Sequence, residues 1–348
     1  MLKQNEKISC IEILRIVSMI SVVLLHITST AWFYVEQNTA TWYIYNAMRC
    51  TCKWGVTVFV MISGAVFLRK EYISIRMLWG KYIKRIAEIL IFWSFVYAIL
   101  PLFKTIMYNG NMENWNIWGG VKSFILGENH LWYLYMCIGL YMMIPFMKEI
   151  SNDKNLLTYF IILSILFTII IPSCQKVSIF RDSVWNQFIG KFSIQMVIGY
   201  PLYFFLGYYW IFTGAKSNWR YLLYVFAGMV YLISIFLTAR SGGKHFLVDG
   251  TMSIGNFIIT NAVFVFGMKL SERLIYYRKL QIWINKAASF SLGIYLVHML
   301  FVRSVTKWVT TSFTNPWLVV GVITIIVMGG SFVMCYIIKK IPILCKLV

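Results

Sequence analysis

Arg15 and His26 stand with ten residues between them inside one apolar run, IEILRIVSMISVVLLHI. An arginine at the centre of a membrane helix costs about 2.5–3.5 kcal/mol on insertion scales. A span that keeps both a guanidinium and an imidazole is therefore a candidate for chemistry. Glu12 lies one turn before Arg15 on the same face, where the two can pair. From Arg15 to His26 the helix rises about 16 Å in roughly three turns, and the two side chains point within about 20° of each other. One face thus presents a cation near one end and an imidazole about half a bilayer further in. A cation at a mouth can hold a phosphate. A histidine, whose pKa lies near working pH, can take a proton or hold a reacting atom. An arginine reaching to the headgroups and a histidine bonded to a carbonyl would satisfy the same residues without chemistry.

The elements that position these residues follow from composition. The chain has 348 residues, 60% of them hydrophobic and 13% charged, about half the charge of a soluble domain. Span-length apolar runs recur from end to end, which predicts an all-α, polytopic integral membrane bundle. We read one domain, residues 1–348, with about ten transmembrane helices near 10–31, 54–68, 86–103, 131–147, 156–173, 193–212, 220–238, 251–268, 288–303 and 316–338. The first span carries Glu12, Arg15 and His26 and lacks a small-residue cleavage site, so it reads as a retained helix and not a signal peptide. No internal repeat of the kind that marks many secondary transporters is visible.

The net charge of +20 is accounted for by topology. With a cytoplasmic N-terminus, twenty Lys and Arg fall in inner segments and eleven in outer ones, so both termini are expected in the cytoplasm. This explains the charge without a nucleic-acid partner. The seven cysteines have no metal-site spacing. Cys50, Cys52 and Cys174 share the expected outer face, which leaves a disulfide open. Two outer loops combine aromatic and amide side chains: Trp32, Tyr34, Trp42, Tyr43 and Tyr45 in one, and Asn109, Asn111, Asn114, Trp115, Asn116 and Trp118 in the other. Such a mixture suits either sugar binding or an aromatic belt at the interface.

Five stretches in order carry a resemblance. They are Glu12-Ile-Leu-Arg15 with His26, Gly55-Val-Thr-Val-Phe59 through Ser63-Gly64, Lys81-Tyr-Ile-Lys84-Arg85, His130-Leu-Trp132-Tyr133 with Pro145, and Ser291-Leu-Gly-Ile-Tyr295-Leu-Val-His298. Together they resemble the membrane acyltransferase-3 family. The chain departs from the family at the start of the third helix. Tyr82 stands where a second arginine is frequent, with Lys81 beside it, and Glu88 stands where a proline is usual. A lysine supplies a point charge there but not a bidentate fork.

The resemblance implies transfer of an acyl group, most often acetyl, from cytoplasmic acetyl-CoA to a hydroxyl of an envelope polysaccharide or lipid-linked glycan. It implies a multi-pass protein of the bacterial cell membrane that needs no metal. His26, Arg15 and Glu12 would be catalytic. Arg85, Lys84, Lys81 and Ser63 would bind the donor, and His130, Trp132, Tyr133, Tyr295 and His298 the acceptor. His26 would act as general base, or carry the acyl group as an acyl-histidine. Ser63-Gly64 would also suit a close helix approach. A transporter or flippase of a small solute or glycan precursor is the alternative, since it too needs intramembrane charge.

Overall fold

The computed structural model describes residues 4–109, 117–177, 195–214, 218–274 and 276–348, with positions 184, 188 and 191. The described residues are helical and contain no strand. In chain order the helices are α1 (Gln4–Trp32), α2 (Ala40–Thr51), α3 (Gly55–Leu68), α4 (Ile75–Phe103), α5 (Ile117–Leu126), α6 (Trp132–Met142), α7 (Ile144–Asn152), α8 (Lys154–Gln175), α9 (Pro201–Tyr208), α10 (Asn218–Arg240), α11 (Ile254–Leu274), α12 (Arg278–Ala288), α13 (Ser291–Ser312) and α14 (Pro316–Lys340).

Among the described residues, eight helical stretches are long and apolar enough to cross a membrane, with Ala40–Leu68 counted as one. The bent pair Ile117–Met142 and Ile144–Asn152 makes a ninth. The tenth expected span is the shorter helix that starts at Pro201 and continues through a π-helical turn to Thr213. It begins later than expected. Gly199 takes φ +95°, and Pro201 then sets the first helical turn. The span expected over 131–147 breaks at Met143 with a bend of 59°. Pro145 cannot supply a backbone N–H to continue α6, and it opens α7 instead.

Three helices were expected to be loops. α2 occupies most of the first aromatic outer loop. Trp42 and Tyr45 are buried in its packing face, while Tyr34 and Tyr43 are exposed. Trp42 lies 5.4 Å from the Trp32 ring, and Arg49 sits over that ring at 4.6 Å. Those rings therefore belong to packing more than to a sugar platform. α5 carries an exposed Trp118. Asn111, Asn114, Trp115 and Asn116 of the same loop lie outside the described residues, as do Lys3, Arg181 and Lys216. α12 is a short polar-faced helix that packs on α1. All seven cysteines are free thiols.

α1 is the central pillar. It packs against α2, α3, α11, α12, α13 and α14. Its first half, through Cys10, Ile11 and Leu14, joins a core with α3, α9 and α11. Its second half, through Met19, Val22, Val23 and Ile27, joins another with α4, α13 and α14. α3 and α9 cross so closely that a side chain at Gly64 would overlap the Phe204 carbonyl, and one at Gly207 would overlap the Met61 carbonyl. This is the small-residue contact by which membrane helices pack backbone to backbone.

Because backbone opposes the missing methyl on both sides, neither neighbour can yield by a rotamer change. Gly64→Ala should destabilise the protein by about 1–3 kcal/mol, lowering its thermal midpoint in detergent. Gly139→Ala, with open space around it, should leave that midpoint in place. Equal midpoints for the two variants would contradict the close crossing.

Candidate active site

α1, α3, α4 and α6, with the corner between α12 and α13, enclose a cavity of about 360 Å³. Arg15, Ser63, Tyr82, Arg85, Tyr133, Tyr141 and Tyr295 line it, with Val22, Phe59 and Ile89 among the apolar walls. Five of these lie at positions the sequence reading singled out: Arg15, Arg85, Ser63, Tyr133 and Tyr295.

Arg15 donates from Nη1 to Glu12 at 3.0 Å (Oε1) and 2.8 Å (Oε2). The pairing is local to α1 and needs no other element. It leaves the guanidinium partly accessible, with Nη2 and Nε free of that carboxylate. Arg85 reaches the same cavity from the first half of α4. The turn before it, Leu78–Ile83, is π-helical, and wide turns of this kind recur at functional sites. Tyr82 and Arg85 both face the cavity. Tyr82 accepts a hydrogen bond from Lys70 Nζ at 2.6 Å. A cation therefore stands beside Tyr82, supplied by Lys70 from the connection just past α3.

Aromatic rings wall the cavity toward its other end. Phe59 and Tyr133 lie 6.1 Å apart by ring centroid, and Tyr133 and Tyr295 lie 5.5 Å apart. Beyond Tyr295 are three histidines from three separate helical segments. The His26 and His298 rings are 5.2 Å apart, and the His298 and His130 rings 5.4 Å. His26 sits one turn past Val22 on α1, half-buried, and its ring has no hydrogen bond to any described residue. His298 is fully buried. Its Nδ1 lies 2.6 Å from the Tyr295 carbonyl. A carbonyl only accepts, so Nδ1 carries the proton and the Nε2 lone pair stays free when the ring is neutral. Nε2 has no partner among the described residues. The His130 backbone carbonyl accepts from the Tyr295 hydroxyl, which ties the turn before α6 to α13. Among the described residues, no three His, Cys, Asp or Glu side chains are arranged to hold a metal ion.

Other expected site residues stand apart. Lys84 is 66% exposed and pairs at 3.8 Å with Glu88. Lys81 is exposed, 5.8 Å from the Tyr82 ring centroid. Neither lines the cavity, because α4 turns its apolar face, through Ile83, Ile86 and Ile89, toward the bundle. Trp132 is 39% exposed and packs beside Tyr200 at 5.6 Å. The sequence reading passed over Tyr82 and Tyr141 as cavity residues, and Lys70 as the partner of Tyr82. Tyr141 had a signal: Tyr133, Cys137 and Tyr141 recur every four residues and so share one helix face. Lys70 had none, since it meets Tyr82 only through the fold of the α3–α4 connection.

Comparison with curated proteins and with solved structures finds no match. The sequence model of the acyltransferase-3 family, described as an acyltransferase domain, matches residues 8–336. That range takes in α1 through most of α14, and it includes every residue of the cavity and of the histidine cluster. The match, the multi-pass helical architecture and the cavity agree: this chain belongs to the acyltransferase-3 family and is a membrane acyltransferase.

Proposed function

We propose that the protein transfers an acetyl group from cytoplasmic acetyl-CoA to a hydroxyl of an envelope polysaccharide or lipid-linked glycan. One observation carries the reading. A cavity lined by Arg15, Arg85, Tyr82, Tyr133 and Tyr295 adjoins, through the Tyr295 ring, a cluster formed by His298, His130 and His26. Cations in the cavity wall and imidazoles behind its Tyr295 wall suit the two ends of an acyl thioester, phosphates and reacting carbonyl. A volume of about 360 Å³ lies at the low end for ligand pockets. It suits the thin arm of the donor, with the nucleotide left at the mouth.

In this reading Arg15 and Arg85 hold donor phosphates through charge-assisted hydrogen bonds. Glu12 keeps the Arg15 guanidinium oriented by its contacts at 2.8 and 3.0 Å. Ser63 and the tyrosines line the path of the arm. His26 takes the proton of the acceptor hydroxyl as that oxygen attacks the thioester carbonyl carbon. The carbon–sulfur bond then breaks, the new ester leaves with the acceptor, and the proton passes to the departing thiolate. His298, with its Nδ1 proton held by the Tyr295 carbonyl, offers its free Nε2 toward the same cluster and orients the His26 ring. The reading places the organism among bacteria, the protein in the cell membrane and both termini in the cytoplasm, on the positive-inside bias of the loops.

Substituting His26 tests the base directly. His26→Gln keeps volume and a hydrogen bond but cannot take the proton, so acyl transfer at saturating acetyl-CoA should fall about 10²–10⁴-fold. The measurement is thiol release coupled to acylated product, normalised to monodisperse purified protein. Activity within a few-fold of wild type would remove His26 from the base role.

The mouth is tested by the donor. Arg15→Ala and Arg85→Ala each remove a charge-assisted contact of about 1.5–3 kcal/mol. The apparent KM for acetyl-CoA should therefore rise roughly ten- to hundredfold, more than kcat falls. Unchanged KM with lost turnover in both variants would refute the assignment of these arginines to the phosphates.

A further inference from the structure

A second polar cavity lies on the far side of the histidines. It measures about 470 Å³ and is bounded by α4, the turn before α6 and α13. Tyr97, Ser123, Glu128, Asn129, Arg303 and Ser304 supply its polar groups. Glu128 and Arg303 meet as a fork, Nη1 to Oε2 at 2.9 Å and Nη2 to Oε1 at 2.5 Å. They come from positions 175 residues apart, so the pair is a product of the fold. Its accessibility is asymmetric: the Glu128 side chain is 15% exposed and Arg303 48%.

His130 stands between a wall residue of each cavity. Tyr97 lines the second cavity, and its ring lies 4.9 Å from His130. Tyr295 lines the first, and its ring lies 5.8 Å from His130. The Tyr97 hydroxyl donates to the Leu296 carbonyl at 2.7 Å, which fixes its ring against α13. One tight turn makes both faces of this partition. Gly127 takes φ +67°, a conformation that favours glycine. Glu128 and Asn129 then face the second cavity, and His130 turns inward, 2% exposed.

We infer that this second cavity receives the acceptor, and that the group it accepts is an uncharged sugar bearing neighbouring hydroxyls. The inference rests on the acyl-transfer reading above and adds the site and charge class of the acceptor. The paired fork carries no net charge. An anionic ligand reaching Arg303 would meet the Glu128 carboxylate beside it, and a cationic one reaching Glu128 would meet the Arg303 guanidinium. A hydroxyl both donates and accepts, so it bonds the remaining lone pairs of the carboxylate and the remaining N–H groups of the guanidinium without breaking the pair. Asn129, Ser123 and Ser304, all exposed, add donors and acceptors at the mouth. The volume falls in the range of small-ligand sites. A sugar seated here brings a hydroxyl to the Tyr97 side of the histidines while the thioester arrives from the Tyr295 side. The hydroxyl proton passes to the imidazole, the oxygen–acyl bond forms and the carbon–sulfur bond breaks, so the transfer balances with no further reagent.

The test uses the full-length protein, radiolabelled acetyl-CoA and glycans from cells of the source organism that lack the chain. The glycans are divided into aqueous polymer and organic-soluble, lipid-linked pools, and each pool is split by anion exchange into neutral and anionic fractions. Wild-type protein should label a neutral fraction, and the pool in which it does so identifies the acceptor's carrier. Glu128→Gln and Arg303→Gln should each raise the amount of that fraction needed for half-saturation at least tenfold, while half-saturation by acetyl-CoA shifts less than twofold. The exchanged pair, Glu128→Arg with Arg303→Glu, tests whether the fork is only a clip between helices. It should restore detergent stability lost in the single variants without restoring acceptor saturation. Label confined to anionic fractions, unchanged half-saturation in both single variants, or full recovery in the exchanged pair would each overturn the acceptor site while leaving acyl transfer intact. Absence of label in every fraction with wild-type protein would overturn the acyl-transfer reading, and this assignment with it.

Discussion

Ionic and polar side chains inside an apolar bundle set the terms for the whole structure. α1 carries a carboxylate, a guanidinium and an imidazole along one face, and a bilayer offers no water to satisfy them. The solution is to place α1 at the centre, with six other helices against it. Glu12 answers Arg15 within the helix itself. His26 is answered from outside, by His298 on α13 and, through it, His130 in the turn before α6.

Two of the irregular helices serve the cavity. A π-helical turn precedes Arg85 and puts Tyr82 on the cavity wall. The bend at Met143 follows directly on α6, which carries Tyr133 and Tyr141. The crossing of Gly64 against Phe204 draws α3 tight onto α9, and Ser63, next in sequence, faces the cavity. Adjacent residues thus split two duties, backbone contact and lining. Irregular backbone in a membrane is tolerated where it is buried in protein or borders a polar space, and these departures meet that condition.

Tyrosines occupy the boundary between the polar path and the apolar core. Tyr295 has its hydroxyl on the His130 carbonyl, its carbonyl on His298 Nδ1 and its ring against Tyr133. One side chain and its own peptide therefore link α13 to α6 and hold a histidine tautomer. Tyr97 does the corresponding work on the other side, with its ring against His130 and its hydroxyl on the Leu296 carbonyl. Buried phenols with satisfied hydroxyls give large apolar area and a directional anchor together.

The amino-acid sequence by itself determined what depends on neighbours along the chain. Apolar run length marked the helical membrane class, and helical spacing put Glu12 beside Arg15 and aligned Arg15 with His26. Five ordered motifs marked the family to which residues 8–336 belong. Where local signals were mixed, the reading was less complete: α2 and α12 are amphipathic and looked like loops, and the bend at Met143 precedes its proline by two residues. Tertiary structure alone decided which distant groups meet. His130 and His298 reach His26 from helices more than a hundred residues away. Lys70 reaches Tyr82 across a connection, and Glu128 meets Arg303 over 175 residues. It also decided which residues do not meet, since the rotation of α4 that buries Ile83 and Ile89 leaves Lys81 and Lys84 at the surface. Periodicity defines the face a side chain occupies on its own helix. Which other face it opposes is set by the packing of all the helices at once, and no local spacing encodes that.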